Sequence, residues 1–397
     1  MLRKKTIEDV NLEGKRVIAR VDFNVPLDEN RRVANDLRIR AAVPTIEHVL
    51  SRGAPLVLMS HLGRPGGRRD PKFSLAPVFE RLGTLIGAPL KMAPDCVGDE
   101  VKGLALGLSP GAALLLENLR FHEEETRNDE GFARELASLA DVYVNDAFGA
   151  AHRAHASTEG ITRFVGASVA GFLMKKEIDY LENALENPRR PFTAVLGGAK
   201  VSDKISVIER LLDRVDVMLI GGGMCFTFLK ALGGEVGNSK LEEDRLDEAR
   251  RILRLAREKG KEFLLPADVV AASAFSETAE TRMVPVDSIP AGWMGLDIGE
   301  ETAETYRRKI MESGTVLWNG PMGVFEMKPF AAGTRALADA VAESGCVSIV
   351  GGGDSAAAVY EMGFEDRITH ISTGGGAALE LLEGRKLPGV EALDDAV

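Results

Sequence analysis

The sequence predicts two α/β domains, each a parallel sheet doubly wound by helices and joined to the other by a helix. Short apolar, β-branched runs alternate with helical patterns along nearly the whole chain, as they do in parallel sheets covered on both faces. Several of those runs end directly in glycine clusters. One long helical pattern at 171–187 interrupts the alternation, which then restarts. A length of 397 residues also suits two domains.

The first strand is expected at 16–21, RVIARV, and stops at Asp22-Phe23-Asn24-Val25-Pro26, where proline and polar residues end a ladder. Arg38-Ile39-Arg40 opens a helix with Ile39, Val43, Ile46, Val49 and Leu50 at helical spacing. Leu56–Met59 is the next buried strand and runs into Ser60-His61-Leu62-Gly63-Arg64-Pro65-Gly66-Gly67. A helix at 75–86 and a strand at 112–116 follow, with Glu117-Asn118-Leu119-Arg120-Phe121 at the strand's end. Then come a helix at 130–140 and a strand at 142–144, which leads into Asn145-Asp146-Ala147-Phe148-Gly149. The helix at 171–187 buries Leu173, Met174, Ile178, Leu181 and Leu185, and Asn187-Pro188 stops it.

The second half opens with a strand at Phe192–Leu196, followed by Gly197-Gly198-Ala199-Lys200-Val201-Ser202-Asp203-Lys204. Val201, Ile205, Ile208, Leu212 and Val215 make a helical stripe, which places Lys200 and Lys204 on one side near a helix start. Val217–Ile220 leads into Gly221-Gly222-Gly223-Met224, and 315–318 into Asn319-Gly320-Pro321-Met322-Gly323-Val324-Phe325-Glu326. The run 347–350 leads into Gly351-Gly352-Gly353, then Asp354-Ser355 opens an Ala-rich helix; 368–373 leads into Gly374-Gly375-Gly376-Ala377. These junctions read as a sheet edge kept bare of side chains, on which a flat ligand can lie. The segment 293–299, with Gly295, reads as turn-rich and able to wall a base. The expected domains are 1–170 and 188–377, Rossmann-like in architecture, with 171–187 as the connecting helix and 378–397 packing back toward the first domain.

Composition narrows the function. A net charge of -11 argues against nucleic acid or an anionic membrane as partner. Cys96, Cys225 and Cys346 are odd in number and lack any CxxC, which suits a reducing compartment without disulfides or a zinc site. No signal peptide and no apolar run of about 18 residues is visible, so the cytoplasm is expected.

Ligands of such sheets collect at the carboxyl ends of the strands. There stand Asp22, Asn24, His61, Arg64, Arg120, His152 and Arg153, with Arg38 at a helix start close behind. An arginine fork matches carboxylate and phosphate, and its recurrence in an acidic protein suggests a small polyanion. His152 and His155 lack a third ligand nearby, so they do not read as a metal site. Glu123-Glu124-Glu125 reads as a solvated charge run. In the second half, a strand feeding a glycine turn and a helix start is an anion site. Asp354 can hold a divalent cation there, and Ser355 can cap the helix or donate to a phosphate. Lys200 and Lys204 suit nucleotide phosphates, and Glu326 suits ribose hydroxyls. GxxxxGK[ST] occurs nowhere, which disfavours the P-loop class.

RVDFNVP at 20–26, HLGRP at 61–65, ENLRFHEEE at 117–125, NDAFGAAHRAHAST at 145–158, LGGAKVSDK at 196–204, GGGM at 221–224, WNGPMGVFE at 318–326, GGGDS at 351–355 and STGGGA at 372–377 together resemble phosphoglycerate kinase. Cys225 and Ser355 depart slightly from the usual Ala and Thr. The resemblance implies a first domain that binds 3-phosphoglycerate or 1,3-bisphosphoglycerate through Asp22, Phe23, Asn24, Arg38, His61, Leu62, Gly63, Arg64, Arg120, His152 and Arg153. It implies a second domain that binds ATP or ADP through Lys200, Lys204, Gly295, Asn319, Glu326, Gly352, Gly353, Asp354 and Ser355. Asp354 would meet Mg2+. Arg38 and Lys200 would act on the moving phosphoryl group after hinge closure in a monomer. The alternatives are a kinase for another carboxylate and a non-catalytic phosphometabolite sensor.

Overall fold

The computed structural model describes residues 3–396. The chain forms two compact units. One takes the chain up to Asp179 and again from Lys386, and the other is Tyr180–Arg385.

The first unit is built on β1 (Val17–Val21), β2 (Leu56–Met59), β3 (Leu90–Met92), β4 (Ala113–Leu115), β5 (Val142–Asp146) and β6 (Ala167–Ala170). They pair in the order β3-β4-β2-β1-β5-β6, every pair parallel. Val17, Ala19 and Val21 face Ile39, Ala42, Ile46 and Val49 of the helix Leu37–Ser51 in one core. Ile18 and Arg20, pointing the other way, are buried too. Burial on both faces is why these strands read as unbroken apolar runs rather than alternating ones. Each fully buried Ile, Leu or Val contributes about 1.5–3 kcal/mol over its exposed state. The chain's end belongs to this unit: Gly389 N donates to Ala151 O at 2.9 Å, Asp394 N to Ser168 O at 2.9 Å, and Asn145 Nδ2 to Gly389 O at 2.9 Å.

The second unit carries β7 (Phe192–Leu196), β8 (Val217–Ile220), β9 (Glu262–Leu264), β10 (Asp268–Ala272), β11 (Thr281–Pro285), β12 (Met294–Ile298), β13 (Thr315–Asn319), β14 (Val347–Gly351) and β15 (His370–Ile371). Six of them form a parallel sheet in the order β15-β14-β13-β7-β8-β9. Both sheets have the doubly wound parallel form expected from the alternation. The remaining three make an antiparallel sheet, β11-β10-β12, which the alternation did not foretell. The turn-rich reading of 293–299 is corrected here: Met294–Ile298 is a strand whose pairing with β10 holds it extended. Among the described residues no helix is long and apolar enough to cross a membrane.

The helix Phe172–Glu186 begins on a buried anchor. Asp146, at the end of β5, accepts Met174 N at 3.1 Å, and Thr45 Oγ1 accepts Phe172 N at 2.9 Å. A Cβ on Gly171 would come within 2.2 Å of the Asp146 carboxylate, so only glycine lets the chain pass. Burial pushes the Asp146 carboxyl up from 3.8 to about 6. A raised acid pKa means the stabilising contribution is full below pH 3.8 and is lost as pH rises through about 6. Asp146→Asn keeps the acceptor and removes that ionisation. Its stability relative to the native chain should therefore improve with rising pH, by on the order of 3 kcal/mol across the whole window. Urea unfolding below pH 3.8 and above pH 6 measures this; a difference that does not change with pH would sink the assignment.

Candidate active site

In the first unit the carboxyl ends of β1, β2 and β4 are knitted together by the residues that follow them. Phe23 N donates to Ser60 Oγ at 2.9 Å, and Ser60 Oγ donates to Val21 O at 2.8 Å. Gly63 N donates to Asn24 Oδ1 at 2.9 Å, and Arg120 Nη1 to Gly63 O at 2.8 Å. Asn118 reaches Leu62 O at 2.7 Å and caps the short helix that carries Arg120. Arg38 Nη1 donates to Asn24 O at 2.7 Å and lies 3.6 Å from Asp22 Oδ2. Arg153 Nε donates to His152 Nε2 at 3.0 Å.

Arg64, Arg120 and Arg153 line one recess together with His122 and His155. Burial, then the charges of Arg20, Arg153 and Arg64, push the Arg120 guanidinium down from 12.5 to about 10, with Glu125 opposing. The recess thus carries unspent positive charge, and an anion that enters it relieves the crowding. His61 is buried. Arg20 Nη2 meets its Nδ1 at 2.9 Å. Arginine only donates, so Nδ1 accepts and the ring proton sits on Nε2. Burial and the neighbouring arginines hold His61 well below its ordinary value, so it is neutral near pH 7.

Two residues beneath this recess escaped the sequence reading. Arg20 and Glu125 are both fully buried. Arg20 Nε donates to Ser157 Oγ at 2.8 Å, which donates to Glu125 Oε1 at 2.7 Å; Ser157 N donates to Glu125 Oε2 at 2.9 Å. Burial alone would raise the Glu125 carboxyl, but His155, Arg20 and Ser157 outweigh it and hold the group below the usual range. The expectation of a solvated Glu123-Glu124-Glu125 run is therefore wrong for Glu125. Its two neighbours are exposed, and the third carboxylate turns inward to meet Ser157 and His155, with Arg20 joined through Ser157.

In the second unit β14 ends at Gly351, and Gly352, with φ +92°, precedes the helix Gly353–Met362. Asp354 is exposed in the first turn. Ser355 does not cap the helix as expected. It is fully buried, and its Oγ accepts Gly320 N at 2.6 Å, which joins this helix to the loop after β13. Lys200 and Lys204 do not pair on one helix face either. The helix begins only at Ile205; Lys200 lies outside it and is exposed, while Lys204 turns inward and bonds Asn319 Oδ1. The residues 201–204 form turns instead of the first helical turn that the stripe suggested. Asn319 Nδ2 is buried without a partner, beside Gly351 and Gly352.

A second recess is lined by Gly295, Glu326 and Asp354, with Phe226, Phe275 and Lys240. The two phenylalanines supply an apolar wall. Nothing in the sequence marks them, because a single aromatic in a helix or loop has no pattern. The glycine junctions serve backbone packing. A Cβ on Gly320 would lie 2.3 Å from the backbone of Gly197, and one on Gly197 would lie 2.1 Å from Pro321 O. Gly198, Gly222, Gly223 and Gly323 also line the recess. The edge is bare partly because neighbouring loops touch there.

The family model described as phosphoglycerate kinase matches residues 7–385. The chain is 58% identical over 397 residues to a phosphoglycerate kinase of Prosthecochloris aestuarii, covering 99% of this chain and 100% of that one. It is 56% identical to a cytosolic phosphoglycerate kinase of Triticum aestivum, with 98% of each covered. Among solved structures, that of phosphoglycerate kinase from Coxiella burnetii superposes with a TM-score of 0.87 at 41% identity, covering 98% of this chain and 99% of that one.

Burial pushes Lys204 down from 10.5 to about 8, while the carboxylates of Asp203 and Asp354 act the other way. If this lysine meets the phosphates of ADP, affinity should be full below pH 8 and fall as pH rises above it, by up to about tenfold per pH unit. Calorimetric titration with ADP measures this. Lys204→Arg should flatten the profile; an unchanged profile would place the titrating group elsewhere.

Proposed function

The chain belongs to the phosphoglycerate kinase family, and from that premise we propose how its two units share one reaction. The protein transfers a phosphoryl group reversibly between 1,3-bisphosphoglycerate and ADP, giving 3-phosphoglycerate and ATP, a step of glycolysis and gluconeogenesis. The first unit takes the glycerate ligand. The observation that carries this reading is the crowd of arginines around Arg120, whose mutual repulsion an anionic ligand would relieve. Arg64, Arg120 and Arg153 hold the ligand's own phosphate. Asp22, the backbone of Phe23, Leu62 and Gly63, Asn24, His61 and His152 position its polar groups. His61, neutral with its proton on Nε2, serves as a donor and not as a base.

The second unit takes the nucleotide. Phe226 and Phe275 wall the base beside Gly295, Glu326 accepts from the ribose, and Lys204 and Asn319 reach the phosphates. The amides of Gly352, Gly353, Asp354 and Ser355 stand at the positive end of a helix, where phosphate oxygens are stabilised. The exposed Asp354 carboxylate on the wall of the same recess fits a magnesium ion, which prefers one or two carboxylates plus phosphate oxygens. Magnesium held there supplies charge neutralisation to the nucleotide phosphates.

The acceptor is a carboxylate, already ionised near pH 7, so no residue needs to remove a proton from it. What remains is alignment and charge stabilisation. Arg38 and the exposed Lys200 are the groups assigned to the transferring phosphoryl. Arg38 is half-buried and braced by Asn24 O and Asp22, so its fork is held in place before a ligand arrives. Both ligand sets lie on one chain, and the proposal is a monomer whose units close on a shared hinge. If so, small-angle scattering should show a smaller radius of gyration with both ligands bound than with either alone, and an unchanged radius would remove closure from the scheme.

The reaction is tested by mixing protein, Mg-ATP and 3-phosphoglycerate with hydroxylamine, which traps an acyl phosphate as hydroxamate. Hydroxamate should need all components. Arg38→Ala should slow it at least about a hundredfold, while 3-phosphoglycerate binding weakens less than about tenfold. Equal losses in rate and binding would make Arg38 a binding group only. No hydroxamate from folded native protein that binds both ligands would refute the transfer chemistry.

A further inference from the structure

We propose that Asp95, Cys96 and His122 form a binding site for a thiophilic divalent cation of the zinc class. Asp95 and Cys96 follow β3 at its carboxyl end, and His122 follows the short helix after β4. β3 and β4 are hydrogen-bonded neighbours, so the sheet itself brings the two loops together. A carboxylate oxygen, a thiol sulfur and an imidazole nitrogen lie within 4.8 Å of one another. Sulfur and imidazole together select zinc-like ions over magnesium or calcium, which prefer oxygen alone. The proposed reaction gives none of the three a role, although His122 also lines the recess of Arg64, Arg120 and Arg153, and Asp354 stands in the other unit.

The site has a closed floor and an open side. Cys96 is fully buried, while the side chains of His122 and Asp95 are 28% and 35% exposed. Three protein ligands and one open position for water make a complete tetrahedral zinc site, with a way in for the ion. His122 Nε2 now meets Asp95 Oδ1 at 2.7 Å. A tetrahedral centre holds such ligands about 3.3 Å apart, so the pair need open only slightly to admit the ion. Arg69 is the competing cation: its Nη1 lies 3.7 Å from Asp95 Oδ2, its Nη2 donates to Pro94 O, and its guanidinium lies over the Phe121 ring, so an ion displaces only the longest of its contacts. Binding replaces the S–H bond by a sulfur–metal bond and releases the thiol proton to water.

Cobalt(II) is the probe, because a cobalt thiolate absorbs in the near ultraviolet. Titrating the full, nucleotide-free chain with Co2+ should raise a charge-transfer band that saturates at one ion per chain and is displaced by Zn2+. Cys96→Ser should abolish the band, and Cys346→Ser should leave it. If Cys96→Ser does not fold, His122→Ala, at a partly exposed position, should weaken Co2+ binding at least about tenfold. No band from the native chain, or a band that survives Cys96→Ser, overturns the site.

Discussion

Arg20 and Glu125 sit in the first unit with no exposure at all, and neither charge could stay there alone. Burying one ion costs several kcal/mol, and removing its partner leaves that cost unopposed. Ser157 joins the two through its hydroxyl and its N–H. The three residues come from β1, from the helix Glu123–Thr126 beyond β4, and from the segment beyond β5. Those same stretches carry Asp22, Phe23 and Asn24, Arg120, and Arg153. The network therefore links β1 to the stretches that follow β4 and β5. It also sets the state of His61 above, because the guanidinium that meets Glu125's network occupies His61 Nδ1.

The second unit solves its positioning problem with backbone instead of charge. Gly197, Gly222 and Gly320 touch neighbouring backbone so closely that no side chain fits at any of them. Ser355 then ties the helix start after β14 to Gly320. Close contact between loops fixes the helix-start amides without placing a charged side chain among them. That leaves Asp354 facing outward and Lys204 drawn in toward Asn319. Helix-start amides held in this way suit phosphate groups, and Phe226 and Phe275 give the neighbouring recess an apolar wall. The recess of the first unit, by contrast, is lined by guanidinium forks, which suit a small ligand dense in charge.

The parallel sheets were legible because both faces of each are covered, which makes strands such as Leu56–Met59 and Phe192–Leu196 unbroken apolar runs. That Arg64, Arg120 and Arg153 come together was legible for a related reason: each stands shortly after such a run. The three-stranded antiparallel sheet was not, because Met294–Ile298 owes its extension to pairing with β10 and not to its own composition. Helix starts were misplaced where tertiary bonds override a stripe, as at Lys204, whose amine is drawn to Asn319. Glu125 was misread for the deepest reason. A run of three glutamates looks solvated unless one knows that Arg20, more than a hundred residues earlier, is buried opposite it. Long-range charge pairing leaves no local trace.

The same logic bears on a protein of net charge -11 that must gather polyanions. Charges beyond about 8–10 Å are screened at physiological salt, so a substrate in the recess responds to the guanidiniums beside it and little to the distant surface. The carboxylates near them are already engaged: Glu123, on the wall of the recess, pairs with Arg127, Glu125 is bonded by Ser157, and Asp22 braces Arg38 from the side. A large polyanion such as nucleic acid spans more surface than the recess offers and meets the acidic exterior. Depth and confinement of the positive charge, more than its amount, thus favour a small phosphorylated acid over a polymer.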